Sequence, residues 1–293
     1  MSASTTIHAP PAANHRRGVA LMLVSASAFT ANILLIRALG QFHFANVWLI
    51  SSARFLVGLT IIFAVYRREF QPRHLFINPK LIGRGFIGGL GVYGTYLTVV
   101  ELGAGRAILI GNTYVVFSAL MAAVWLGEKL RPAFAVGAII TFAGLALLTN
   151  VFAHDAHPGF YDLVAVGVAL ASAYVVVTIR LLHHTEHTST IFGAQCVYGL
   201  FICGVPALLH TESLPPIGWV ILLLASVCAG VGQITMTRSF RDLPAGEGSL
   251  WQMLVPPGVA LGGWLFFSEH FSPAEFVGAA LILIGTAWAA FRR

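Results

Sequence analysis

The chain has 293 residues, of which 57% are hydrophobic and only 10% charged, and its mean hydropathy is +0.82. A soluble globular domain carries about 25% charged residues, so this composition excludes a soluble enzyme, a disordered chain and a disulfide-rich secreted domain. A polytopic helical membrane protein remains, and the formal charge of +6 has to be read loop by loop.

Residues 1–15, with Pro10-Pro11 among small polar neighbours, read as a disordered tail. Beyond Arg16-Arg17, apolar stretches of spanning length cover 19–39, 47–66, 81–100, 107–126 and 133–148, then 163–182, 191–209, 217–237, 249–267 and 274–291. Each approaches the ~20 residues a hydrocarbon core requires, which predicts an all-α protein of ten transmembrane helices. The first stretch is too long for a cleaved signal, and nine more follow it. Cys196, Cys203 and Cys228 lie inside apolar stretches and read as packing residues.

Lys and Arg set the orientation, because cytoplasmic loops accumulate them. Arg16 and Arg17 precede span one, Arg67, Arg68, Arg73, Lys80 and Arg84 follow span two, and Lys129 and Arg131 follow span four. Arg180 closes span six, Arg238 and Arg241 close span eight, and Arg292-Arg293 end the chain. The loops around His43, Asp155, Glu212 and Glu269 carry neither Lys nor Arg. Both termini are therefore expected in the cytoplasm. The positive charge reports topology and not nucleic-acid binding.

At a fixed offset of 141 residues the two halves match without a gap. Gly89 and Gly91 pair with Gly230 and Gly232, and Glu101-Leu102 and Ala104-Gly105 with Asp242-Leu243 and Ala245-Gly246. Glu128, Pro132, Gly137 and Gly144 pair with Glu269, Pro273, Gly278 and Gly285. Five spans per half is an odd number, so the second copy enters from the opposite side. Inverted repeats place a substrate site near the midplane and make alternating access possible. The reading is a transporter.

This duplicated layout, the Ser-Ala-Arg-Phe of residues 52–55 and the Glu…Pro…Gly…Gly closing each half resemble the EamA family of the drug/metabolite transporter superfamily. The resemblance covers residues 17–293, with repeats at 16–150 and 158–293. Within the superfamily it is most similar to YddG-type exporters of aromatic and neutral amino acids, which implies a bacterial inner-membrane protein exporting such substrates. One departure stands out: span four has Val115-Val116 where span nine has Pro256-Pro257.

The carboxylates all fall near span ends or in loops, so no buried proton relay is expected. Arg54 reads as the one cation at depth, either a structural arginine or an anchor for a substrate carboxylate. Polar and aromatic side chains inside spans are candidates for a cavity wall: Asn32, Tyr93, Tyr96, Asn112, Tyr114, Tyr174, Gln233, Trp251 and Gln252. Interhelical hydrogen bonding is the alternative role for the amides. Pro256 and Pro257 free the carbonyls of Gln252 and Met253, and the resulting kink either meets substrate or merely shapes the bundle.

The small residues of spans five and ten read as a packing face or a homodimer contact. His183, His184 and His187 read as a solvated loop rather than a metal site. No phosphate loop, nucleophile elbow or metalloprotease motif occurs. No enzyme activity and no cofactor are expected. The expected partners are a small-molecule substrate, an amino acid, and the bilayer. Another metabolite, drug or nucleotide-sugar carrier is the first alternative, and a channel or membrane-embedded enzyme the second.

Overall fold

The computed structural model describes residues 12–40, 46–102, 104–148, 159–209, 213–268 and 272–291. Within them the chain folds into thirteen helices and no strand. The first repeat holds α1 (Ala12–Gly40), α2 (Val47–Val65), a one-turn α3 (His74–Ile77), α4 (Pro79–Leu102), α5 (Ala104–Asn112), α6 (Tyr114–Leu126) and α7 (Pro132–Leu148). The second holds α8 (Phe160–Leu182), α9 (Thr188–Leu209), α10 (Pro216–Ser239), α11 (Ala245–Gln252), α12 (Val255–Phe267) and α13 (Pro273–Phe291).

Seven segments are long and apolar enough to cross a membrane, and two of these, Ala107–Leu126 and Ala245–Phe267, are helices broken in the middle. Two shorter apolar helices, Pro132–Leu148 and Pro273–Trp288, accompany them. α4 is as long as its neighbours and carries Lys80, Arg84 and Glu101. The expected tail is shorter than residues 1–15, because α1 begins at Ala12. The rest of that tail and the loop residues His43, Asp155, Glu212 and Glu269 lie outside the described residues.

Local chemistry starts and stops these helices symmetrically. The Asn46 side chain accepts the Leu49 N–H and caps α2. α6 ends at Gly127 (φ 66°) and α12 at the equivalent Ser268 (φ 53°), both left-handed, and each cap N–H returns to a carbonyl five residues back. Helix contacts obey the duplication too. α1 packs on α10 as α8 packs on α4, α9 packs on α4 as α2 packs on α10, and α2–α9 and α7–α13 pair across the repeats. α1 begins where its counterpart α8 ends: His15 bonds Glu247 at 2.6 Å and Gly18 O accepts Ser239 Oγ, while Arg180 reaches Phe240 O at 3.0 Å. The repeats are inverted.

α7 and α13 meet through their small residues. A Cβ on Gly278 would stand 2.5 Å from Leu148 N and 2.6 Å from Gly144 O, and one on Gly285 2.7 Å from Gly137 O. The glycine face is thus consumed inside the chain. The obstructing atoms are backbone, which cannot move aside. Gly278→Ala is expected to cost about 1–3 kcal/mol, read as a lower melting temperature in detergent. Gly167→Ala, which meets nothing within 4 Å, should be neutral or stabilise by up to ~1 kcal/mol.

Candidate functional site

The site is organised by two helix breaks at equivalent positions, Thr113 and Met253-Leu254. In the second repeat the cause is proline: Pro256 and Pro257 have no N–H to offer the carbonyls of Gln252 and Met253. The first repeat breaks without one. There the Thr113 N–H and Oγ1 both donate to Ile110 O, at 3.0 and 2.6 Å, in a tightened turn, and Asn112 Nδ2 donates to Ile108 O at 2.8 Å. The absence of a proline in span four therefore does not make the halves unequal in shape.

A cavity of about 320 Å³ lies between these breaks and helices α1, α2, α4, α8, α9 and α10. Of the residues singled out from sequence, Asn32, Arg54, Tyr96, Asn112, Tyr114, Gln233, Gln252 and Pro256 line it. Four do not. Tyr93 stacks on Trp48 with ring centroids 3.9 Å apart. Tyr174 turns its ring edge to Trp125. Trp251 packs into the core beside α11, and Pro257 faces away from the space that Pro256 borders. Sequence reasoning missed Phe29 and the bare backbone of Gly88, Gly91 and Gly111, which carry no polar or charged signature of a site, and Ser172, a small hydroxyl common in packed helices.

Several lining amides hold helices together. Asn32 Nδ2 donates to Ala225 O at 2.8 Å, tying α1 to α10. Gln252 Nε2 donates to Ser25 Oγ at 2.8 Å, and Ser25 Oγ in turn to Gly232 O, which joins α11, α1 and α10. Arg54 is different. One guanidinium nitrogen donates to Gln233 Oε1 at 3.0 Å, and the group lies over the Phe29 ring at 5.5 Å. With five N–H donors in all, it keeps donors for the cavity. No carboxylate lines the cavity among the described residues.

Arg54 is not the one cation at depth. Arg84, expected in a basic loop, is fully buried in α4, where its Nη2 donates to Gln195 Oε1 at 2.9 Å. Arg180, counted with the loop charges as well, is packed between α8, α10 and α11. A tally of basic residues cannot tell a loop from the first turns of a buried helix.

The end of the bundle that carries most of the basic residues is closed by polar contacts. Arg180 Nε stands 2.6 Å from Glu128 Oε1, and its Nη1 donates to the carbonyls of Phe240 and Leu243. The other Glu128 oxygen accepts the Ala245 N–H at 3.1 Å, at the positive end of α11. His15 and Glu247 join α1 to α11 beside this pair.

The EamA-like transporter family matches this chain twice, over residues 16–150 and 159–291. The chain belongs to that family. It is 23% identical over 280 residues to the pseudopaline exporter CntI of Pseudomonas aeruginosa, found in two strains, with 92% of this chain and 94% of the relative aligned. It is 24% identical over 189 residues, 64% of each chain, to a Streptantibioticus cattleyicolor protein named "Probable terminal-alkyne amino-acid exporter". A crystal structure superposes with a TM-score of 0.76 at 20% identity, over 93% of this chain and 96% of the other, which supports the fold alone. This EamA-family protein is thus a multi-span membrane transporter and not an enzyme.

In such a transporter the Glu128–Arg180–Ala245 contact, which joins the two repeats at this end, is expected to act as a gate. Removing one partner of a buried ion pair leaves the other uncompensated. Arg180→Gln is expected to open this end. With Ser249, fully buried beside Ser118, replaced by cysteine in a Cys228→Ser background, a water-soluble maleimide should react about tenfold faster, a shift of ~1.4 kcal/mol. An unchanged rate would show that the pair does not hold the gate.

In the histidine cluster His184 and His187 are exposed between α8 and α9, as expected of a solvated loop, whereas His183 is half-buried and donates through Nε2 to Thr237 O at 2.6 Å. Burial pushes its pKa down to about 4, reinforced by Arg241, Arg180 and His187, while the Thr237 carbonyl acts in the opposite sense. The fold therefore holds it neutral, whereas the unfolded chain protonates near pH 6.5. Its contribution to stability is complete above pH 6.5 and is lost as pH falls toward 4. His183→Gln, which keeps a donor, should flatten the fall in melting temperature between pH 6.5 and 5. A wild-type slope retained in that variant would assign it to other groups.

Proposed function

We propose that this protein is an inner-membrane exporter of amino acids and amino-acid-derived metabolites, aromatic and other neutral ones included. It has ten membrane crossings, counting each broken pair as one, and both termini in the cytoplasm. The observation that carries the substrate class is Arg54: a guanidinium with free donors in a cavity without a carboxylate, facing aromatic and amide groups. It holds the substrate carboxylate. Carbonyls released at the two helix breaks accept from the ammonium, and Phe29, Tyr96 and Tyr114 contact the apolar side chain. The relatives' names, a pseudopaline exporter and a probable terminal-alkyne amino-acid exporter, support export of small metabolites, amino acids among them.

Transport proceeds by alternating access, with the Glu128–Arg180 end closed in the state described above. No carboxylate in the cavity is available to carry a proton, so the coupling is facilitated or exchange transport. The protein acts alone toward substrate and lipid, without nucleic acid or cofactor. A nucleotide-sugar carrier fits less well, because nothing in the cavity is shaped to hold both a base and a diphosphate.

The test is uptake of a radiolabelled amino-acid panel into proteoliposomes. Flux is expected without an imposed pH gradient, and Arg54→Gln should raise the apparent KM at least about tenfold, the ~1.4 kcal/mol or more of a charge-assisted hydrogen bond. Pro256→Ala with Pro257→Ala should weaken binding of every substrate. Uptake that appears only with a pH gradient, or is indifferent to Arg54→Gln, overturns the reading.

A further inference from the structure

Buried arginines in this chain are treated in two ways. Arg180 is met by Glu128 and two backbone carbonyls. Arg84 has a 0% exposed side chain with one neutral acceptor, Gln195 Oε1, and its Nε and Nη1 have no hydrogen-bond partner. An uncompensated buried charge of this kind costs several kcal/mol. The chain nevertheless makes room for it. A Cβ on Gly88 would collide with Arg84 Nη1, so the bare glycine lets the guanidinium lie along α4, and the Gly88 carbonyl is held by Gln195 Nε2 at 3.2 Å. Gly88 and Gln195 both line the cavity. Arg84 thus sits behind the part of the wall that Gly88 and Gln195 form, in a cavity that Arg54 also lines.

Resting on the exporter reading above, we infer that Arg84 and Arg54 form a two-cation floor, and that the preferred substrates are amino-acid derivatives carrying a second carboxylate. Two guanidiniums with no lining carboxylate leave the cavity net positive. A monocarboxylic amino acid places its carboxylate on Arg54 but, being neutral overall, leaves the net positive charge unchanged and offers nothing to Arg84. A dicarboxylate bearing one ammonium brings a net negative charge, with one carboxylate for Arg54 and one for the Gln195–Arg84 edge. A swing of the Gln195 amide brings Arg84 donors to the second group, and carboxylate is the acceptor matched to a guanidinium. The cavity volume lies at the lower end of small-molecule sites, in keeping with one such metabolite.

The decisive comparison uses N-(carboxymethyl)-L-phenylalanine and its neutral near-isostere N-(carbamoylmethyl)-L-phenylalanine, with L-phenylalanine as reference, binding to the purified full-length protein. The carboxylate should bind at least about tenfold tighter than the amide, a difference of ~1.4 kcal/mol. In Arg84→Gln that ratio should fall to near one with phenylalanine affinity changed less than about twofold. Gly88→Ala, which displaces the guanidinium, should lower that ratio as well. A wild-type ratio near one overturns the inference, and so does a ratio that survives in a folded Arg84→Gln or Gly88→Ala protein. If Arg84→Gln is lost from detergent extracts, the wild-type ratio and Gly88→Ala decide. Tighter binding of O-phospho-L-tyrosine than of the dicarboxylate overturns the carboxylate assignment. Phenylalanine transport with no preference for the dicarboxylate defeats this inference alone, whereas no transport of any amino-acid compound defeats the exporter reading as well.

Discussion

Inside a hydrocarbon layer a backbone N–H or C=O without a partner costs several kcal/mol, and almost everything distinctive here follows from where the chain breaks that rule. The breaks at Thr113 and Met253-Leu254 are placed against one another in the bundle interior, where neighbours and a cavity receive the released carbonyls. A continuous helix on either side would fill this space with regular apolar packing. Breaking two spans at equivalent positions leaves a mostly apolar recess with a few convergent polar groups inside the bundle. Residues around it are then chosen for two duties at once. Asn32 and Gln252 face the recess and also brace α1 against α10 and α11.

The two repeats reach the same shape by different chemistry. One uses prolines that cannot donate, and the other uses Asn112 and Thr113 side chains that donate to carbonyls one turn back. Electrostatics divides the molecule in another way. At one end, opposite charges from the two repeats neutralise each other across Glu128 and Arg180. At the recess, Arg54 and Arg84 face amides only. The first arrangement joins the repeats and the second borders the cavity, and the contrast is drawn within a single bundle of helices.

Much of the architecture was legible because hydropathy and duplication are properties of type and spacing. Glu128, Pro132, Gly137 and Gly144 kept register with a second copy, and their roles at helix ends and in the α7–α13 contact follow from that register. The recess was legible only in part. Amides and Arg54 announce themselves as costly in lipid, and eight of the named residues line it. Tyr93, Tyr174 and Trp251 do not, because an aromatic ring satisfies apolar packing equally well and nothing in its spacing fixes which neighbour it faces. Arg84 was read as a loop charge because a positive residue six places into a helix looks, in sequence, like one just before it. The Thr113 break left no mark beyond two ordinary polar residues.

The glycine contact of α7 with α13 has a consequence for how the molecule is made. α13 leaves the ribosome more than a hundred residues after α7, and it supplies most of the surface on which α7 packs. During synthesis α7 therefore waits in the membrane with its groove open, and lipid or an insertion chaperone must cover it. α1 waits in the same way for α10, its main partner. The α7 contact is thereby deferred until α13 inserts, so a chain truncated before α13 strands α7 with its small-residue face exposed, a form that quality-control proteases can recognise.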